Sequence, residues 1–413
     1  MKVIGDLTDI DIAEAHQSKA LMDQIEEGLR GQERALDFLQ AKRWAGRSEA
    51  FAQTWADLLN QEYGDNLLES IEMLSKRGIR LREERQKRAH GVVQQALALA
   101  KQIRFLHWEL AFPIVWPDGW GSETGGFDAV IGNPPWDRIK LQEVEWFGER
   151  RLDIARAARA SDRKRMIAAL AAQNNPLWQD YVEARDTAEN AARVFRECGD
   201  YPLLSSGDIN IYSLFVERAA ALIHNRGVVG LLTPSGIAAD LGAAKFFRAL
   251  TSEGQGGARL ILLYDFENKK VFFPDIHASF KFCTLVFGGE ERRTTRTRCA
   301  SYLHAVSETN DADKVLELAA ADFAAVNPNT GAAPIFRTRR DAEITTAIYR
   351  RQPVLVDRRS ERPKKLWPAR YVRMFDMTND AGLFLRRDEL EAQGWYPVEL
   401  NRWKKGKAEA VPL

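Results

Sequence analysis

The chain predicts an α/β fold, and three observations carry the prediction. Four short runs of apolar and β-branched residues each end in a turn signal and read as strands: FDAVIG (127–132), GVVGLLTP (227–234), RLILLYDFEN (259–268) and FKFCTLVFGG (280–289). Helical spacing of apolar residues appears before and between them. A hydrophobic content of 45% over 413 residues suffices for a sizeable core and suits two or three domains. Strands alternating with helices pack as a sheet with helices on its faces.

In order along the chain, residues 1–110 read as a helical region. ALMDQIEEGLRGQERALDFLQAKRW (20–44) and LLESIEMLSKRGIRLREERQKRAHGVVQQALALAKQIRFL (67–106) set apolar positions at helical spacing among many charges. Residues 111–136 hold the first strand and the loop after it. Residues 137–206 are polar and rich in Arg and Ala, and read as inserted helices. Residues 207–330 open with DINIYSLFVERAAALIHNRG, an amphipathic helix with a Gly stop at Gly227, and continue into the remaining strands. Residues 331–413 mix basic and aromatic side chains.

Composition narrows the class of function. No apolar run approaches the roughly 18 residues that span a bilayer. The N-terminus MKVIGDLTDIDIAEAHQ lacks the basic and apolar regions of a signal peptide, so a cytoplasmic location is expected. Cys198, Cys283 and Cys299 are few and widely spaced, which predicts reduced thiols and no metal site. A net charge of +1 leaves any nucleic-acid contact to local patches.

The stretch FDAVIGNPPW carries the chemistry. In α/β sheets, ligands bind at the carboxyl ends of the strands. The strand Phe127 to Ile131 delivers Asn133, Pro134, Pro135 and Trp136 to that rim. Two prolines with fixed φ and no N–H turn the chain off the sheet and leave carbonyls to face a ligand. Asn133 adds a side-chain acceptor and Trp136 a flat apolar face. Together they suit something planar that carries an amino group.

Asn-Pro-Pro-aromatic after a strand resembles the motif of class I S-adenosylmethionine-dependent amino-methyltransferases. The ordered blocks LHWELAFPIVWPDG, GGFDAVIGNPPWDRIKLQEVEWF, INIYSLFVERA, GVVGLLTPSGIAADLGAAKFFRAL, YDFENKKVFFPDIHASFKFCTLVFGG and PIFRTRRDAEITTAIYRRQPVL are similar to the large adenine-N6 DNA methylases of restriction–modification and phage-defence systems. The resemblance covers roughly residues 105–400. It implies a Rossmann-like class I methyltransferase sheet. It makes 111–136 the catalytic strand and motif loop, 207–330 the rear half of the methyltransferase domain, and 331–413 the start of a target-recognition region.

The resemblance also implies a mechanism. Adenine N6 is a poor nucleophile because its lone pair is delocalised into the ring. The Asn133 side-chain oxygen and the Pro134 carbonyl accept hydrogen bonds from the amino group and stabilise the charge that develops on methyl transfer. Trp136 stacks on a base flipped out of the duplex. His277 and Lys281 sit where the family has a loop near the target base. A cytosine-C5 methylase would need a nucleophilic Pro-Cys thiol, and none of the three cysteines follows a proline.

The cofactor implied is S-adenosylmethionine, with its binding residues unassigned. The family seats it on a glycine-rich turn before the motif, and nothing like that turn occurs ahead of Phe127; GWGSETGGFD is read as a loop. The sheet is therefore expected to be incomplete, about four strands, with Phe127 to Ile131 on an open edge. The cofactor half is expected to come from a missing N-terminal part, the chain then being a fragment, or from a second chain of a split enzyme. DNA is the expected partner. Between Arg350 and Arg373, nine Lys/Arg stand against two acids, with Trp367 and Tyr371 interleaved. Arg358, Arg359, Lys364 and Lys365 are the candidate phosphate contacts there. Two other functions compete: a non-catalytic DNA-binding subunit, and an amino-methyltransferase acting on protein glutamine. Among neighbouring residues, Asp137 and Arg138 read as a solvated helix start, Tyr212 and Phe215 as core, and Asp265, Glu267 and Asn268 as caps at a strand end.

Overall fold

The computed structural model describes residues 12–122, 124–157, 159–359, 364–365, 368, 372–376, 380, 383, 385–399 and 402–406. The chain forms two compact units, Met1–Pro353 and Val354–Leu413.

The first unit begins with four helices: α1 (Ile12–Ala45), α2 (Glu49–Leu59), α3 (Leu67–Ser75) and α4 (Glu84–Ile103). The Asn66 side chain accepts from the Glu69 N–H at 2.9 Å and caps α3. Their apolar stripes meet in a core around Phe38, Leu58, Ile71, Leu74 and Val93. Asp57 lies inside it, held by Arg85 and by the Tyr63 hydroxyl, each at 2.7 Å.

The insertion is helical, as its composition predicts. It comprises α5 (Glu143–Gly148), α6 (Leu152–Ala155), α7 (Ala160–Ala172) and α8 (Pro176–Glu197). Asn175 caps α8 and Pro176 occupies its first turn, where a missing N–H costs nothing. Phe147, Ile154, Ile167, Leu170 and Tyr181 form a small core of its own. Arg193 Nη2 on α8 donates to the Trp44 carbonyl at 2.9 Å and so fastens the insertion to α1.

The sheet has six strands where the sequence predicts about four. They are β1 (Phe127–Gly132), β2 (Ile223–Pro234), β3 (Leu260–Glu267), β4 (Lys281–Gly288), β5 (Thr297–Leu303) and β6 (Leu316–Leu318), in the order β1-β2-β4-β3-β5-β6. The β1–β2 and β3–β5 pairs are parallel, whereas β4 runs antiparallel to both neighbours. The extra strands escaped pattern reading because β6 is only three residues long and β5, TRCASYL, mixes polar and small residues without a continuous apolar run.

The preceding helix, α9 (Ile211–Leu222), stops five residues before Gly227, and Ile223 to Arg226 already belong to β2. Gly227 is thus no helix stop. A Cβ there would lie 2.7 Å from the Phe127 carbonyl oxygen, so glycine is needed where β1 and β2 approach each other. β1 occupies the sheet edge, as expected, and its outer residues are open: Ile131 is 88% exposed.

Val229, Leu231, Leu260, Leu285 and Phe287 build the main core against α10 (Ala244–Thr251), which contributes Phe246, Phe247 and Leu250. Tyr264, Phe266, Phe282, Ala300 and Leu303 form a second cluster. No helix among the described residues is long and apolar enough to cross a membrane.

The second unit contains a short antiparallel ladder of Val356–Asp357 with Lys364–Lys365, a helix at Arg387–Ala392, and the hairpin Trp395–Glu399 with Arg402–Lys405.

Candidate functional site

The motif loop leaves the carboxyl end of β1. Asn133 and Pro135 are exposed, Pro134 is buried and Trp136 half-buried. Beyond it the chain is stitched to the segment before α9: the Ile211 N–H donates to the Asp137 carbonyl at 2.8 Å, and Ile139 N–H to the Ile209 carbonyl at 3.3 Å. The motif is anchored by backbone bonds on both sides.

Trp136 is wedged among aromatic side chains. Its ring lies parallel to Phe280, with centroids 5.6 Å apart and planes 8° off. Phe282 is stacked at 6.1 Å and Phe273 meets it edge-on at 5.6 Å. Its Nε1 donates to the Leu232 carbonyl at 3.3 Å. This ties the motif across β2 to the loop between β3 and β4.

A cavity of about 450 Å³ opens beside Trp136, within the roughly 300–1,000 Å³ of typical small-molecule sites. It lies at the carboxyl ends of β2, β3 and β5. Trp136 and Phe280 give it aromatic wall, Leu263 and Pro334 apolar wall, and Ser235, Asp265 and Lys281 polar atoms. Of the residues singled out in the sequence, Trp136 and Lys281 border this cavity; Asn133, Pro134, Pro135 and His277 are outside its lining. Lys281 Nζ lies 3.5 Å from Glu267 and 4.3 Å from the centre of the Tyr302 ring. His277 is exposed, its Nδ1 2.8 Å from the Ser279 hydroxyl. Its loop is organised by Asn268, which is fully buried and whose side chain accepts from Phe273 N–H and donates to the Ile276 carbonyl.

Three residues read from sequence as scaffolding also border the cavity: Arg138, Tyr212 and Asp265. Asp265 is 8% exposed. The Ser235 hydroxyl donates to its Oδ1, while Oδ2 is buried with no hydrogen-bond partner among the described residues. Burial pushes its pKa up; the Ser235 hydroxyl and the Lys281 charge pull it down, Glu267 raises it, and the Tyr302 backbone acts least, downwards. A signal was available: an acid inside the apolar run LILLYDFEN must be buried with a partner or for a purpose. Ser235, on the turn after β2, gave no such signal. The cavity thiols Cys283 and Cys299 are each pushed up to about 12 by burial, so they stay protonated at neutral pH and are poor nucleophiles.

In the second unit, Arg359 is paired with Asp357 at 2.7 Å, and Lys364 and Lys365 are exposed on their short strand. Arg358 precedes Arg359 on the same exposed turn. Trp367 and Tyr371 lie outside the described residues.

The Asn-Pro-Pro-Trp rim loop falls within a stretch of the chain that a family model matches. Residues 33–167 match the Eco57I restriction-modification methylase family. The match covers less than half of the chain and joins the helical region to the motif strand. It makes that stretch methylase-related sequence. No curated protein matches the chain. Among solved structures, the ATP-dependent Type ISP restriction-modification enzyme LlaBIII bound to DNA aligns with 56% of this chain and 12% of its own length, at 10% identity and a TM-score of 0.24. A modification subunit of a putative type I restriction enzyme from Vibrio vulnificus YJ016 aligns with 75% of this chain and 61% of its own, at 10% identity and a TM-score of 0.29. The Type IIL restriction-modification enzyme MmeI in complex with DNA aligns over 73% and 39%, at 12% identity and a TM-score of 0.24. The chain spans less than two thirds of the length of each.

Proposed function

We propose that this chain is the base-handling part of a site-specific adenine-N6 DNA methyltransferase of a restriction–modification or phage-defence system. The observation that carries the reading is Asn133 to Trp136 at the carboxyl end of a strand paired in parallel with β2, beside a cavity with an aromatic wall. In this reading the Asn133 oxygen and the Pro134 carbonyl accept hydrogen bonds from the amino group. Their preorganised dipoles stabilise positive charge on that nitrogen as it attacks. Trp136 and Phe280 offer the aromatic surface for a base out of its stack, and the apolar wall excludes water. Arg358, Arg359, Lys364 and Lys365 serve as phosphate contacts, and His277 stands near the base.

S-adenosylmethionine supplies the methyl group in this chemistry when bound. Among the described residues no strand precedes β1 and no glycine-rich turn opens a helix, so the residues present do not fit that cofactor. The open edge of β1 supports a second chain or segment that carries the cofactor half and pairs there; unpaired strand edges are templates for such pairing. S-adenosylmethionine titrated into this chain alone should give no binding heat, and heat should appear once that partner is added. Tight, stoichiometric binding by the chain alone would remove the need for a partner.

The test of function is methylation in a host expressing the chain with its genomic neighbours. Long-read sequencing should detect N6-methyladenine at one recognition sequence. With Asn133→Ala, methylation rate should fall about a hundredfold or more, since one preorganised dipole contributes roughly 2.7–4 kcal/mol. Unchanged methylation in that variant would take Asn133 out of the site. DNA binding without any methylation would favour a non-catalytic subunit.

A further inference from the structure

The cavity beside Trp136 contains a group that the amino-methyltransfer reading does not use. Asp265 stands near the carboxyl end of β3, in register with Cys283 on β4. It is more than nine-tenths buried and lines the cavity. Its Oδ1 takes the Ser235 hydroxyl, and its Oδ2 has no partner among the described residues. Buried acceptors are almost always paired, and leaving one unpaired costs stability.

The Lys281 charge and the Tyr302 backbone act on the carboxylate, yet neither gives Oδ2 a hydrogen bond. The Cys283 sulfur is 3.4 Å from the Thr233 hydroxyl. Lys281 sits between Glu267 and the Tyr302 ring. Glu267 in turn is held by Lys269 at 3.1 Å and His304 at 2.9 Å. The rest of the lining sets apolar and aromatic walls, Leu263, Ala238, Pro334, Phe280 and Trp136, beside the polar residues Arg138, Asn210, Tyr212, Asp240 and Ser301. Flat walls with a buried carboxylate oxygen that lacks a partner among the described residues describe a site for a planar molecule that brings its own N–H.

We propose that Asp265 is the specificity-determining acceptor for a planar heterocycle with an amino or N–H edge, and that Ser235 is its positioning residue. Ser235 fixes the carboxylate by binding Oδ1, so that Oδ2 takes the ligand's hydrogen. The choice of adenine as that heterocycle rests on the methyltransferase reading; the acceptor role does not, and since an adenine amino group has two hydrogens, Oδ2 holds one of them on capture, before the group turns to the Asn133 and Pro134 acceptors.

The experiment is ligand-observed NMR titration of the full chain with 9-methyladenine and with 9-methylpurine, which lacks the amino group. The parent should prefer 9-methyladenine by about tenfold or more, the worth of a hydrogen bond to a charged group. Asp265→Asn should remove most of that preference, and Ser235→Ala should reduce it. Thermal melts check that each variant is folded; if Asp265→Asn is not, the preference ratio in Ser235→Ala decides. A parent that prefers 9-methyladenine and an Asp265→Asn variant that keeps the preference would overturn the acceptor role and leave the base pocket standing. Equal binding of both bases by the parent would do the same. Binding of neither base would overturn both the inference and the base-pocket reading.

Discussion

Asp57 and Asp265 are both buried carboxylates, 3% and 8% exposed, yet they sit in opposite electrostatic settings. Asp57, in the helical region, accepts from Arg85, Tyr63 and Gln53, and the Arg85 hydrogen bond above all lowers its pKa to about 2. Asp265, at the sheet rim, has one hydroxyl donor, and burial raises its pKa. The fold completes the first carboxylate and leaves the second incomplete. Satisfied buried charge holds elements together, whereas an unsatisfied acceptor beside a cavity is where a ligand would complete the bonding.

The contrast breaks most visibly at Asp57. Asp57→Asn should destabilise the protein by about 1.5–3 kcal/mol, the range for hydrogen bonds to charged groups, as read from denaturant midpoints near neutral pH. A loss near zero would mean that Arg85, which is half-exposed, contributes little to holding α2 and α4 together.

The two acids should also respond to pH with opposite signs. Asp57 has a depressed folded pKa, so its contribution is complete above the unfolded value of about 3.9 and is lost as pH falls towards about 2. The stability gap between parent and Asp57→Asn should therefore shrink over that window. Asp265 has a raised folded pKa, so its ionisation costs stability as pH rises from about 3.9 through the folded value. Against parent, Asp265→Asn should gain relative stability as pH rises there. Parallel curves for parent and variant would show that the carboxyl is not perturbed.

The smallest expected effect sharpens the comparison. At neutral pH, Asp265→Asn should change stability by no more than about 1 kcal/mol, because the Ser235 hydroxyl keeps an oxygen to bind and only one polar atom is exchanged. A loss as large as that of Asp57→Asn would make Asp265 a structural residue after all.

Much of this could be read from residue order. Apolar runs located β1 to β4, and the Arg/Ala-rich composition of 137–206 marked the inserted helices. The motif Asn133 to Trp136 was visible because its prolines and amide follow a strand directly. The strand β5 was not, since its burial comes from β3 and β6 on either side and not from its own hydrophobicity. Gly227 looked like a helix stop because local sequence does not contain the Phe127 carbonyl, a hundred positions away, that it must clear.

Sequence alone determined the period of each segment, the alternation of strands with helices, and the chemical types at the rim, because these depend on neighbours along the chain. The periodicity of FDAVIG and GVVGLLTP, two apolar strands of similar character, did not separate them; the open edge at Phe127 to Ile131 was expected only from the resemblance. The tertiary structure made one an open edge, with Ile131 88% exposed, and the other interior, with Leu231 5% exposed. It likewise separated Asp265 from Glu267, two acids in one strand. Glu267 meets Lys269, Lys281 and His304, while Asp265 Oδ2 has no hydrogen-bond partner among the described residues. Both decisions follow from which distant strands and side chains are brought alongside, and that is a property of the packed sheet, not of the order of residues within any strand.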